Sequence, residues 1–259
     1  MKILVTNDDG INAPGLLAIV RELRALPEAE VTVLAPDKNW SACGHVKTMS
    51  RPLRLNPTKL EDGSAAWMSD GAPSDCVALG MMGALEQKFD LVVSGINPNA
   101  NVGLDVTYSG TVTAAMEACI HGKPGFAVSI DAPEFHRGEL DFNSAAKTAA
   151  RLVFELFRDW DGKQPAPIWN INLPYSPERD YDGVRFTRQG TRYYHDRLEK
   201  RFDPRGVPYY WIGGDPPSGL VEEGTDYGVI KSNFVSVTPL AMEMTDRPRL
   251  EKLLRLKQD

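Results

Sequence analysis

The chain has 259 residues, of which 42% are hydrophobic and 25% charged, a formal net charge of −6 and three widely spaced cysteines. This composition describes a globular protein with a sizeable core, and the acidic balance argues against a nucleic-acid polymer or an anionic membrane as main partner, because both require a basic field. Cys43, Cys76 and Cys119 form no C-x-x-C pair and so indicate neither a zinc site nor a disulfide framework; with no export leader and no apolar run of membrane length, the expectation is a cytoplasmic protein with no membrane partner.

Ile3 to Asn12 reads I-L-V-T-N-D-D-G-I-N: apolar and β-branched residues make a short strand, and Asn7 and Gly10 mark a turn around two adjacent carboxylates. In a tight loop Asp8 and Asp9 can converge, and two such anions repel unless a proton or a cation sits between them. Hard oxygen ligands of this kind suit Mg²⁺ or Mn²⁺ rather than zinc or copper. The alternative is a turn in which one of the pair caps the next helix. That helix opens at Ala13-Pro14-Gly15 and repeats Leu16, Ile19, Val20 and Leu23 at helical spacing. Val31 to Ala35 returns as a strand, which completes a βαβ unit with parallel strands, a right-handed crossover and ligands beyond the carboxyl ends of the strands. The acidic loop and the next loop, Pro36 to Lys47, both leave from such ends.

The second loop carries Ser41, able to ligate a metal or to cap a turn, and His45, either a hydrogen-bonded loop residue or a general acid. Arg51 to Leu55 and Ala66 to Met68 are predicted as short strands with a turn at Asp62-Gly63. Ser74 is predicted to cap a helix from Asp75 to about Leu85 with Val77, Met81, Met82 and Leu85 in the core. Phe89 to Val93 is a strand that empties into Ser94 to Gly103, whose asparagines either close turns or offer oxygens and amides to a metal and an anion. Tyr108 to Val112 precedes a helix running to about Ile120. Hydroxyls and a glycine at a helix start suit an anion, because free N–H groups and the helix dipole point at it, although a simple N-cap uses the same residues.

Gly125 to Ile130, a helix capped by Asn143 or Ser144 and running through Phe157, and Ile168 to Leu173 continue the alternation. It specifies an α/β fold with a Rossmann-like, mostly parallel sheet and helices on both faces. From Val184 the texture changes. Thr187 to Trp211 is aromatic and basic, which predicts long hairpins forming a subunit interface rather than a nucleic-acid surface. Phe234 to Thr238 is a last strand and Arg247 to Leu256 a closing basic helix. The expected organisation is one domain: an α/β core over 1–180, a β-hairpin oligomerisation arm over 181–239 and a C-terminal helix over 240–259.

The stretches ILVTNDDGI, APDKNWSACGH, SGIN followed by NVG, YSGTVTAAMEA, DPRG with YYW, GTD and VSVTPL together resemble the SurE family of metal-dependent nucleotidases, from Lys2 to about Thr245. The resemblance implies one Mg²⁺ or Mn²⁺ held by Asp8, Asp9, Ser41 and Asn97, and a phosphate site at Asn101, Ser109, Gly110 and Thr111. It implies release of phosphate from nucleoside 5′-monophosphates, with 3′-monophosphates and short polyphosphate as further substrates, and a swapped C-terminal arm that builds a homodimer or homotetramer. In the chemistry expected on that basis the aspartates position the metal, water attacks, and His45 protonates the leaving ribose oxygen. Three positions depart from the family pattern: Asn99 and Ala118 stand where glycine is usual, and Ala72 where threonine is. Three rivals make different demands. A Rossmann dehydrogenase needs a G-x-G-x-x-G turn that is missing here, and a haloacid-dehalogenase-type phosphatase spaces its aspartates two apart. A non-catalytic nucleotide-binding module binds without releasing phosphate.

Overall fold

In the computed structural model, which describes residues 1–134 and 136–256, the first strand, β1 (Lys2–Thr6), lies in the middle of a nine-stranded sheet. Its residues are apolar on both faces because helices cover both. Ile3 and Val5 pack towards α1 (Pro14–Arg24) and α4 (Asn143–Asp159), and Leu4 packs towards α2 (Pro73–Met81) and α3 (Gly110–Ile120). Near-continuous burial of this kind marks a parallel sheet covered on both sides. The remaining strands are β2 (Glu30–Pro36), β3 (Leu55–Lys59), β4 (Ala65–Ser69), β5 (Leu91–Asn97), β6 (Gly125–Asp131), β7 (Ile168–Pro174), β8 (Val184–Phe186) and, after a projecting hairpin, β11 (Val235–Leu240). Their order is β3-β4-β2-β1-β5-β6-β7-β11-β8, with β4 through β7 parallel and β3 and β11 antiparallel to their neighbours β4 and β7.

The order runs away from β1 in both directions, to β2 on one side and β5 on the other. Such a switch point opens a crevice at the carboxyl ends of the strands, and the Asp8-Asp9 loop leaves from that end. The hairpin β9 (Arg192–Phe202) and β10 (Pro208–Gly219) forms its own two-stranded sheet, followed by the short helix α5 (Asp226–Ile230); α6 (Arg247–Arg255) comes last.

Several expected elements shift, each for a local reason. The strand expected over Arg51–Leu55 lies instead at Leu55–Lys59, because the Leu60–Ser64 backbone bond (2.9 Å) starts the ladder directly at the Asp62-Gly63 turn. Pro57 is tolerated there because β3 is an edge strand. The second helix stops at Met81 rather than near Leu85. Gly83 takes φ +92°, and the bonds Gly83 N–H to Gly80 O and Ala84 N–H to Leu79 O close a Schellman turn, which leaves Met82 74% exposed rather than in the core. Ser74 is not its cap: Ala72 is, its N–H taken by the Asp75 carboxylate at 3.0 Å, while Ser74 donates to the Val46 carbonyl. In α4 the capping position falls to Phe142, with Asp141 accepting from the Asn143 N–H at 2.8 Å.

The fifth strand runs on from Val93 to Asn97, since after an irregularity it regains β6 at Asn97 and Ser129. Asn99 does not take the left-handed conformation. Within 181–239 only Arg192–Gly219 projects as a hairpin; β8 and β11 pair with each other in the main sheet. Of the helix expected over 240–259, Arg247–Arg255 is observed, and 257–259 lie outside the described residues.

Candidate active site

Asn7 shapes the turn after β1. Its side-chain amide donates to the Gly10 carbonyl (2.9 Å) and its oxygen accepts from the Gly10 N–H (3.2 Å), while Gly10 sits at φ +100°, where a side chain would be strained. The result turns Asp8 inward, 4% exposed, onto the N-terminus of α3. There the Thr111 hydroxyl donates to Asp8 Oδ1 at 2.5 Å. Burial pushes the Asp8 carboxyl up, partly opposed by the Thr111 hydroxyl and the N–H groups of Thr111 and Gly110. Gly110 has to be glycine for this approach: a Cβ there would lie 2.8 Å from Asp8 Cβ and 3.0 Å from Cys43 Sγ. Asp9 is held by the Asn39 amide at 3.2 Å; burial and the adjacent Asp8 charge push it up to about 7.

Asp8, Ser41, Asn97, Asn101 and Ser109 line one cavity of about 880 Å³ at the switch point. The Asn101 backbone is clamped from β7: its N–H donates to Asn172 Oδ1 (2.8 Å) and its carbonyl accepts from Asn170 and Asn172. Its side-chain amide donates to Ser129 on β6 at 2.8 Å. The Ser109 hydroxyl accepts from the Val112 N–H (3.1 Å) as the N-cap of α3, which leaves its own proton available to an anion. N-cap and anion donor, posed as alternatives from sequence, are therefore compatible roles for this side chain. Gly110 and Thr111 stand behind Asp8, and the Thr111 hydroxyl is spent on that carboxylate.

Among the described residues, no three or more His, Cys, Asp and Glu side chains gather into a metal site. The donor set implied by the resemblance is different in kind: two carboxylates, the Ser41 hydroxyl and the Asn97 amide oxygen. Asn97 commits its nitrogen to the Asn99 carbonyl (2.5 Å), which leaves the oxygen as its acceptor. All four donors are hard, and the unrelieved repulsion between Asp8 and Asp9 is what a divalent cation would offset, so these residues fit Mg²⁺ or Mn²⁺.

His45 is not among the residues lining this cavity. Its Nε2 lies 2.9 Å from Glu117 of α3, which also holds Lys47 (2.9 Å) and His121 (3.2 Å). Burial pulls Glu117 upward, but hydrogen bonds and charge from His45 and Lys47 prevail and hold it at about 2. The group expected to protonate a leaving oxygen is thus part of a clamp fastening the second loop to α3.

The far wall of the cavity is built from residues outside the motifs of the sequence. Asp105, Asp131, Arg192, Tyr227 and Lys231 come from distant segments. Asp105 pairs with Arg192 (3.1 Å) and accepts from the Tyr194 hydroxyl (2.7 Å); Asp131 pairs with Lys231 (2.6 Å). The aspartate of the G-T-D motif, Asp226, is buried and ties three segments together through the N–H groups of Gly103, Gly190 and Tyr227.

Comparison with known proteins places these features in context. A family model described as survival protein SurE matches residues 3–196. A 5′-nucleotidase SurE of Chloroflexus aggregans is 48% identical over 255 residues, with 98% of both chains covered, and one of Herpetosiphon aurantiacus is 44% identical over 98% of this chain and 97% of its own. The crystal structure of the SurE protein from Aquifex aeolicus superposes with a TM-score of 0.80 at 38% identity, covering 99% of this chain and all of that one.

Proposed function

Because the chain belongs to the SurE family and is a 5′-nucleotidase, we propose that it hydrolyses nucleoside 5′-monophosphates to nucleoside and phosphate with the help of one divalent metal ion. The observation that carries this reading is the meeting of Asp8, Ser41, Asn97, Asn101 and Ser109 on one cavity at the carboxyl end of β1. Nucleoside 3′-monophosphates and short polyphosphate are proposed as secondary substrates of the same phosphate site.

Asp8, Asp9, Ser41 and Asn97 would hold the metal, which when bound supplies positive charge against the phosphoryl oxygens. The chain's own groups do the rest. Ser109 donates to a phosphoryl oxygen, and the first turn of α3 adds its dipole. Thr111 fixes Asp8 in one orientation, so the site needs no reorganisation as charge develops, and a well-aimed donor to the phosphoryl oxygens such as Ser109 is worth about 3 kcal/mol in the transition state. Water attacks phosphorus and gives up a proton, the bond to the sugar oxygen breaks, and that oxygen takes up a proton in exchange.

The projecting hairpin exposes Tyr210, Trp211 and Ile212 and carries Arg192 and Pro217 of the cavity wall, which supports its proposed use in joining copies into a homodimer or homotetramer. The test of function is phosphate release from 5′- and 3′-nucleoside monophosphates, short polyphosphate and an aryl phosphate, first with EDTA and then with Mg²⁺ or Mn²⁺ restored. The expected result is release only with metal and fastest from a 5′-nucleotide. Equal rates in EDTA would refute the metal, and no release from folded protein would refute hydrolysis.

A further inference from the structure

Two ion pairs stand on the far wall of the cavity, and they differ in how fully they are satisfied. Asp105 receives Arg192 and the Tyr194 hydroxyl and has 17% of its side chain exposed, so it is closed to a ligand. Among the described residues Asp131 has only Lys231 as a side-chain partner, at 2.6 Å, with 26% of its own side chain and 39% of the lysine's exposed. One carboxylate oxygen and two ammonium protons of that pair are left over. Lys231 is steadied by the Tyr227 ring, 5.2 Å from its Nζ.

The position of this open pair along β6 gives it a chemical meaning. Ser129 accepts from the Asn101 side chain, which lines the cavity beside Asp8 and Ser109. Asp131 is two residues further along the same strand, on the same face, and so about 7 Å nearer the mouth of the crevice. That is the length scale separating a 5′-phosphate from the 2′,3′-hydroxyl pair of a ribose. A carboxylate that accepts from vicinal hydroxyls, at the carboxyl end of a strand in a doubly wound sheet, is how such folds read ribose.

We propose that Asp131 and Lys231 form a sugar subsite that selects ribonucleotides over 2′- and 3′-deoxyribonucleotides, the Asp131 carboxylate accepting from the vicinal hydroxyls and the Lys231 ammonium donating to the 3′-oxygen. This rests on the nucleotidase reading and narrows its substrate class.

The test compares kcat/KM for adenosine, 2′-deoxyadenosine and 3′-deoxyadenosine 5′-monophosphates, with an aryl phosphate alongside, in the wild-type protein, Asp131→Asn and Lys231→Met, each checked for an unchanged melting temperature. The wild type is expected to prefer the ribonucleotide by on the order of tenfold, the value of one hydrogen bond to a charged group. In Asp131→Asn the ribo-to-2′-deoxy ratio is expected to fall towards one through KM, and Lys231→Met should lower the 3′-deoxy discrimination while leaving the 2′-deoxy discrimination in place. A wild type indifferent to either hydroxyl, or variants that keep the full preference, would overturn the subsite while leaving hydrolysis intact. Failure to release phosphate from any substrate, the aryl phosphate included, would overturn the nucleotidase reading and the subsite with it.

Discussion

Replacing Gly110 by alanine tests how tightly the geometry of Asp8 is set, because it changes no donor, acceptor or charge. The added methyl would lie 2.8 Å from Asp8 Cβ, 3.0 Å from Cys43 Sγ and 3.1 Å from Asp8 Oδ2. The first contact is shorter than relaxed packing allows and the second is tight, and Asp8 Cβ is fixed to a buried strand end, so the carboxylate or the start of α3 has to move. Overpacking of this kind costs about 1–3 kcal/mol, against which alanine recovers up to about 1 kcal/mol of helix propensity. The net loss of up to roughly 2 kcal/mol corresponds to a fall in melting temperature of up to about 8 °C for a chain of this size. Catalysis should suffer far more. A displacement near 1 Å at a reacting centre is worth on the order of 100-fold in rate. The assay pairs thermal unfolding with phosphate release at 25 °C, where the variant remains folded. A variant within threefold of wild-type turnover would refute the claim that this glycine sets the position of the Asp8 carboxylate.

Three further outcomes are expected. Thr111→Val removes the hydroxyl that orients Asp8 and should lower kcat by about tenfold or more, while Thr111→Ser retains most of it; equal losses in both would assign the effect to packing rather than to the hydrogen bond. Glu117, lowered from 4.5 to about 2 in the folded chain, contributes stability that is complete above its ordinary pKa and is lost as pH falls through the folded value. Because Lys47 is half exposed, the contribution is discounted to about 2 kcal/mol. Unfolding by urea at pH 6 and pH 3 should therefore show a larger acid-induced loss for wild type than for Glu117→Gln, and parallel losses would contradict the clamp. Asp8→Asn should keep the fold and lose activity, as set out below.

Much of the fold was legible in the chain because the alternation of short apolar strands with amphipathic helices is dictated locally, and β1 followed by Asp8-Asp9 at a strand end already located the crevice. Boundaries moved where tertiary pairing or turn chemistry decided them: β5 gained Ser94 to Asn97 by pairing with β6, and the Schellman turn at Gly83 cut α2 short of Met82. In the site, the oxygen-rich loops could be read as converging, but the use of each donor could not. Thr111 spends its hydroxyl on Asp8, and His45 is drawn to Glu117, 72 positions away in the chain. Arg192 and Lys231 carry no motif of their own; only the return of the chain through the hairpin and α5 brings them to the cavity, whereas Asp131 reaches it at the carboxyl end of β6, directly after the strand expected over Gly125 to Ile130.

The most direct test of the central claim, that the buried carboxylate at the end of β1 is the heart of a phosphomonoesterase site, is phosphate release from a nucleoside 5′-monophosphate by wild type and Asp8→Asn at saturating Mg²⁺ or Mn²⁺, with the fold of both checked by circular dichroism. The account predicts that the variant keeps its fold and loses at least 100-fold in kcat/KM, about 3 kcal/mol of transition-state stabilisation. A folded Asp8→Asn protein turning over at near-normal rates would place the chemistry elsewhere and contradict the account.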